Sequence, residues 1–140
     1  MNAQQIIWNE NELKKVADVI FGQSPPGSSY NTNSEGMPLL NGAADFQTEN
    51  PLAKKYTTKP LRVAQKGDLL ICIRATIGKT NIADQEYALG RGVAAIRNRE
   101  NIIQKYIRYW AETISVFLKL KSQGTAIIGI KKADLENVKI

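Results

Sequence analysis

Few residues in this chain are equipped for catalysis, and the first to weigh is Cys72. The 140-residue sequence holds one cysteine and no histidine. The Ser-His and Cys-His nucleophile pairs, the usual neutral-pH base and the common zinc sites are therefore missing. One cysteine makes no internal disulfide. Cys72 sits in the apolar run Leu69-Leu-Ile-Cys-Ile73, where it reads as a small hydrophobe made inert by burial. Three short motifs suggest enzymes, and each fails on its neighbours. Gly78-Lys79-Thr80 ends like a phosphate-binding loop, but Ile73 stands where that loop needs a glycine, and the approach is a strand. Gly90-Arg91-Gly92 is followed by Ala95 where a dinucleotide fingerprint needs its third glycine. Ser24-Pro25-Pro26-Gly27 has the two prolines of an amino-methyltransferase motif. Gly27 takes the place of its stacking aromatic, however, and no cofactor-binding βαβ unit accompanies it.

The remaining candidates suit binding. The polar stretch Gln23–Gly36 is rich in turn formers, and its Gln23, Tyr30, Asn31 and Asn33 are candidates for base-edge contact, since amides bond adenine bidentately. Ordinary turn formation is an equal alternative. Lys54, Lys55, Tyr56 and Lys59 mix cations, an aromatic ring and neighbouring hydroxyls, a set that bonds phosphates and base edges or else protects an exposed β-edge. Arg74, Lys79 and Arg91 flank glycine turns and would reach a ligand from strand ends; Arg74 has Asp68 or Asp84 as alternative salt-bridge partners. Ser122, Gln123 and Thr125 form a compact polar loop that either bonds a nucleic-acid backbone or caps a preceding helix.

Charge supports a polyanionic partner. The chain carries 19 Lys and Arg against 13 Asp and Glu, a net +6, with a pI near 9.5. The excess is uneven: residues 1–50 hold two basic and six acidic side chains, whereas 51–140 hold seventeen and seven. A basic surface confined to part of a small domain suits nucleic acid; a merely well-solvated surface is the bland alternative. No apolar run is long enough for a transmembrane helix, and the N-terminus lacks the pattern of a signal peptide, so a cytoplasmic, membrane-free protein is expected.

The elements that must position these residues follow from patterning. With 43% hydrophobic residues, one packed core is expected, and residues 1–140 read as a single domain. Asn9 caps a predicted N-terminal helix with Glu12 at the capping-box position; Leu13, Val16, Ala17 and Ile20 form its apolar stripe and Gly22 stops it. Short strands are predicted at Pro38-Leu39-Leu40, Leu69–Ile73, Thr80–Ala83 and Gly92–Ile96, while 45–60 reads as irregular. A long helix over about 100–121 follows, then Ile127–Ile130 and a short helix around Lys132–Asn137. Helices and strands without regular βαβ alternation predict an α+β fold: an N-terminal helix, a small twisted mixed β-sheet and a long C-terminal helix.

Nearly the whole chain resembles one family. Trp8, Leu13–Gly22, Ser24-Pro25 and Tyr30 are similar to the opening of a target recognition domain from the specificity (S) subunits of Type I restriction–modification systems, the HsdS family. Gly36–Gly42 with Asp45, the stretch Lys66–Lys79, Glu86–Gly92, Ala94-Ala95-Ile96, Gly124-Thr125, Ile130 and Leu135–Ile140 continue the resemblance in order and spacing. It implies a non-catalytic module that reads one half of a split double-stranded DNA target. Methylation of adenine with S-adenosylmethionine would belong to methyltransferase (M) subunits, and ATP- and Mg-dependent translocation and cleavage to restriction (R) subunits, leaving this chain without a cofactor. The spacer helix and second recognition domain of a whole S subunit are absent from these 140 residues. A protein-interaction domain on the same fold is the alternative. The resemblance identifies the scaffold and does not assign DNA-reading residues.

Overall fold

The run Leu69-Leu70-Ile71-Cys72 is apolar at every position, the pattern of a strand buried on both faces, and it forms the centre of the molecule. In the computed structural model, residues 17–99 and Glu136 alone are described. Nine strands run through 17–99: β1 Ala17–Phe21, β2 Tyr30–Asn31, β3 Met37–Leu40, β4 Lys55–Thr57, β5 Val63–Ala64, β6 Leu69–Cys72, β7 Thr80–Ile82, β8 Tyr87–Leu89 and β9 Val93–Asn98. They make two sheets. One has four strands in the order β1-β9-β6-β7, all antiparallel; the other has five in the order β2-β4-β3-β8-β5, with β3 and β8 parallel.

The sheets share a core. Leu70, Cys72, Val93 and Ala95 of the first pack with Leu40, Ala64, Tyr87 and Leu89 of the second, and Ile20 lies against the same cluster. Register explains the selection: Leu70 pairs with Ala95 and Cys72 with Val93, so these side chains share one face. The alternate residues Leu69, Ile71, Ala94 and Ile96 share the other face and are equally buried.

This architecture corrects the α+β expectation. Among the described residues there are strands in two sheets and two 3-10 turns, Gly27–Ser29 and Ala43–Asp45, with no α-helix of seven residues or more. The helical stripe through Leu13, Val16, Ala17 and Ile20 does not survive where it can be followed. Ala17–Phe21 is a strand, pairing with β9 from Ala17 opposite Asn98 to Phe21 opposite Ala94. Ala17 and Val19 are buried and Asp18 between them is exposed, a period of two. Five cross-strand pairs, in which Val19, Ile20 and Phe21 supply the β-branched and aromatic side chains, outweigh the weak helical preference of so short a segment. One small mixed sheet becomes two sheets, with β4 inside the stretch read as irregular. The predicted helix over 100–121, the Ile127–Ile130 segment and, apart from the helical Glu136, the Lys132–Asn137 helix lie outside the described residues.

Four strands end and a fifth begins at one place. The Gly22 N–H donates to the Val93 carbonyl at 2.9 Å and the Gln23 N–H to the Leu89 carbonyl at 3.0 Å, carrying the end of β1 across to the second sheet. Gly90 N–H donates to the Leu40 carbonyl at 2.8 Å, and Ile73 N–H to the Gly92 carbonyl at 3.0 Å. The ends of β1, β3, β6 and β8 and the start of β9 thus converge on backbone contacts. Space there admits no side chain: a Cβ on Gly22 would lie 1.9 Å from the Gly90 carbonyl oxygen, and one on Gly92 would lie 2.2 Å from that of Asn41. Gly22→Ala is therefore expected to destabilise the fold by about 2–3 kcal/mol, because backbone must shift to relieve the clash. Gly27→Ala, with nothing within 4 Å of its Cβ, is the control and should change little. Thermal unfolding of both variants checks this; equal midpoints would contradict the tight junction.

Candidate nucleic-acid interface

Around this junction the loops carry cations. The β1 end presents Gln23, β6 gives way to Arg74, and the turn between β8 and β9 places Arg91 at its tip. Gln23, Arg74 and Arg91 line one hollow of roughly 350 Å³ together with Arg62, Gly22, Phe21 and Ile73. Arg74 and Arg91 also border a second hollow of roughly 260 Å³, whose walls include Ser24, Asn41, Gly42 and Gly92. The two arginines stand between the hollows. Neither lining contains a carboxylate, and Gln23, Arg62, Arg74 and Arg91 are all exposed.

The molecule's other arginines in 17–99 behave differently. Arg97 donates from Nε and Nη2 to both oxygens of the buried Asp68, at 3.0 and 2.8 Å. That hydrogen bonding holds the Arg97 guanidinium above its ordinary pKa. Arg99 pairs with Asp18 at 3.3 Å and donates to the Ala17 carbonyl. Asp68 is thus taken by Arg97, and Asp84 accepts from the Tyr87 hydroxyl, so neither is the partner anticipated for Arg74. Among the described residues no carboxylate pairs with Arg62, Arg74 or Arg91.

A second cluster lies on the five-stranded sheet. Asn31 of β2 sits opposite Tyr56 of β4, and Tyr30 opposite Thr57, so the structure does bring the polar loop and the lysine-tyrosine segment together. Lys54, Lys55 and Lys59 are exposed; Tyr30 and Tyr56 are half-buried. The loop is anchored by Ser29, whose hydroxyl bonds the Pro26 carbonyl at 2.6 Å and the Thr57 hydroxyl at 2.7 Å. Asn31 spends its amide on the turn itself. Its Oδ1 accepts from the N–H groups of Asn33 and Glu35, and its Nδ2 donates to the Glu35 carbonyl at 2.9 Å. Turn formation is the role of Asn31 here, while the Asn33 side chain stays exposed.

Lys79 is exposed beside the start of β7 and lines neither hollow; its carbonyl accepts from the Cys72 N–H. Ser122, Gln123 and Thr125 lie outside the described residues. Arg62, Ser24 and Asn41 belong with the hollows and were not anticipated from sequence. Arg62 arrives because its carbonyl accepts from the Leu89 N–H at 2.9 Å, a contact between segments far apart in sequence with no local signal. Asn41 had one: it precedes a glycine and its N–H is held by the buried Asp45 carboxylate at 2.8 Å. Among the described residues no three His, Cys, Asp or Glu side chains are grouped to hold a metal ion, and no helix is long and apolar enough to cross a membrane.

A sequence profile described as the Type I restriction modification DNA specificity domain matches residues 6–140. The chain belongs to this family. Members of this specificity-domain family are the non-catalytic component of Type I restriction–modification systems. This specificity domain is 40% identical over 136 residues to the putative type I restriction enzyme MjaX specificity subunit of Methanocaldococcus jannaschii, covering 95% of this chain and 32% of the relative. Its fold is similar to the HsdS subunit from Thermoanaerobacter tengcongensis, with a TM-score of 0.84 and 38% identity over 95% of this chain and 32% of that one. A chain solved in work on complex assembly and conformational transition of the type I R-M system gives a TM-score of 0.86 at 37% identity, covering 95% of this chain and 33% of that one. The specificity domain therefore spans about a third of the length of each of these relatives.

Cys72 is no nucleophile in this specificity domain. It is fully buried, and desolvation, with smaller opposing contributions from Lys79 and Asp45, pushes its thiol up to about 12. Burial, and then the hydrogen bond to Asp84, likewise push the Tyr87 hydroxyl up to about 12. Both groups keep their protons in the folded chain at pH values where the unfolded chain, at 9.0 and 10.0, has released them. Stability is thus fully present below about pH 9 and falls as pH rises towards 12. Urea midpoints measured from about pH 8 to 11 should decline, and Cys72→Ala should make the first part of that decline shallower. An unchanged slope in the variant would show that Cys72 is not buried as described.

Proposed function

We propose that this chain is a sequence-specific double-stranded DNA binding module that reads one half of a bipartite target and so directs Type I restriction and adenine methylation. The observation that carries the reading is the group of exposed arginines 62, 74 and 91. They lack carboxylate partners among the described residues and line adjoining hollows with Gln23 where two sheets end. Arginine forks and a glutamine amide are the donor and acceptor sets that read base edges in the major groove. The Lys54, Lys55 and Lys59 cluster, with Tyr56 and Tyr30 beside it, anchors phosphates. Rigid strand ends hold the readers and the more exposed lysines supply the sequence-independent attraction.

Catalysis in this reading belongs to partners. One relative is a putative specificity subunit about three times as long, and a similar chain was solved in work on complex assembly of the type I R-M system. Methyltransferase subunits would supply S-adenosylmethionine and restriction subunits ATP and Mg, with this chain holding no cofactor and acting in the cytoplasm.

Selection of bound duplexes from a randomised DNA pool at near-physiological salt tests the proposal. Enrichment of one short motif is the expected result. Retention without enrichment would leave only an electrostatic grip, and no retention even at low salt would favour a protein partner. For the lysine cluster, Lys54→Gln with Lys55→Gln should weaken binding to all duplexes alike and reduce the slope of log affinity against log salt by about 2, near 0.9 per phosphate contact. An unchanged slope would remove these lysines from the footprint.

A further inference from the structure

The cations around the junction are not equally held. Arg74 is followed by Ala75, whose φ of 55° is left-handed without the freedom of glycine. Arg91 stands between two glycines, and both are pressed against one residue. A Cβ on Gly90 would meet the Asn41 Oδ1 at 2.6 Å and the Leu40 carbonyl oxygen at 3.1 Å, and one on Gly92 the Asn41 carbonyl oxygen at 2.2 Å. The turn is also bonded on each side: Gly90 N–H to the Leu40 carbonyl, Val93 N–H to the Gly90 carbonyl, and Ile73 N–H to the Gly92 carbonyl. Beneath it, Asn41 is fixed by its N–H bond to Asp45, itself only 7% exposed. The Arg91 backbone is therefore clamped between the two sheets while its side chain is exposed.

Such a mount is more than a phosphate contact requires. A phosphate accepts charge from many directions, and a flexible lysine on a sheet surface serves it. Two parallel bonds to a base edge need the fork placed to within about half an ångström, and a fixed backbone leaves only the side chain itself to be ordered on binding. We propose that Arg91 is a specificity-determining residue of this domain, a reader of one guanine through its O6 and N7 atoms. The assignment rests on the reading of this rim as the DNA face.

The test uses the full 140-residue chain and the duplex motif it enriches. Arg91 is exposed and bonded to no carboxylate among the described residues, so Arg91→Gln is expected to fold. It should reduce the preference for guanine at one motif position by about tenfold, leaving preferences elsewhere unchanged. As a measurement that needs no variant, 7-deazaguanine at that position should weaken binding by the unaltered chain severalfold and leave binding by Arg91→Gln unaffected. A uniform loss across all duplexes, with the motif intact and the salt slope lowered by about 0.9, would make Arg91 a phosphate anchor. That result overturns the assignment and leaves the DNA-binding role standing. Insensitivity to 7-deazaguanine at every guanine of the motif would also overturn it. If the unaltered chain enriches no motif, the half-site reading fails and this assignment with it.

Discussion

The structure depends on a close approach of backbone to backbone. Gly22, Gly90 and Gly92 lie where strands of two sheets meet, and each occupies space in which a methyl group would collide with a carbonyl or amide oxygen. Their contacts let the chain after β1 cross from its partner β9 to bond Leu89 in the other sheet, bring the ends of β3 and β8 within a hydrogen bond of each other, and seat the end of β6 against Gly92. Packing and function are joined at this point. The core of Leu70, Cys72, Val93, Leu40 and Leu89 lies directly behind the junction, and Gln23, Arg74 and Arg91 lie in front of it.

Electrostatics then separates two kinds of arginine. Arg97 is paired bidentately with a buried aspartate, and it ties β9 to the turn before β6. Removing one partner of such a pair leaves a buried charge uncompensated, so this contact specifies structure. Arg62, Arg74 and Arg91 are exposed and, among the described residues, pair with no carboxylate. Gln23 and Asn41 line the same hollows, where in the proposed reading their amides would face base edges.

Much of this was legible in the sequence, unevenly. The buried run at 69–72 and the short apolar strands near 38–40 and 93–96 declared themselves by composition, a strand near 80–82 was placed between glycine turns, and Cys72 is as buried as its neighbours implied. Gln23, Arg74 and Arg91 were recognisable as polar residues at turns, though nothing local said that the three turns meet. Ala17–Phe21 misled because a five-residue strand satisfies a helical stripe when Val16, Ala17 and Ile20 are apolar; only its partner β9 decides the matter. The glycines at 22, 90 and 92 read as a helix stop and as turns, but their larger role is close packing between distant segments. Asn31 was chosen for its amide, and the turn consumes that amide. The β1 strand and the packing of the three glycines share a cause, contacts made across long stretches of chain, whereas the Asn31 turn is local and was one of two readings its sequence allowed.

In the proposed reading the converging strand ends, and no other face of residues 17–99, meet the bases of DNA. Backbone amide NMR shifts recorded with and without the enriched duplex test it most directly. The largest changes are expected on Gly22–Ser24, Asn41–Ala43, Ile73–Ala75 and Arg91–Gly92, with smaller ones along Lys54–Lys59. Changes centred instead on the hollow lined by Met37, Pro38, Pro60 and Glu86, with the glycine junction silent, would contradict it.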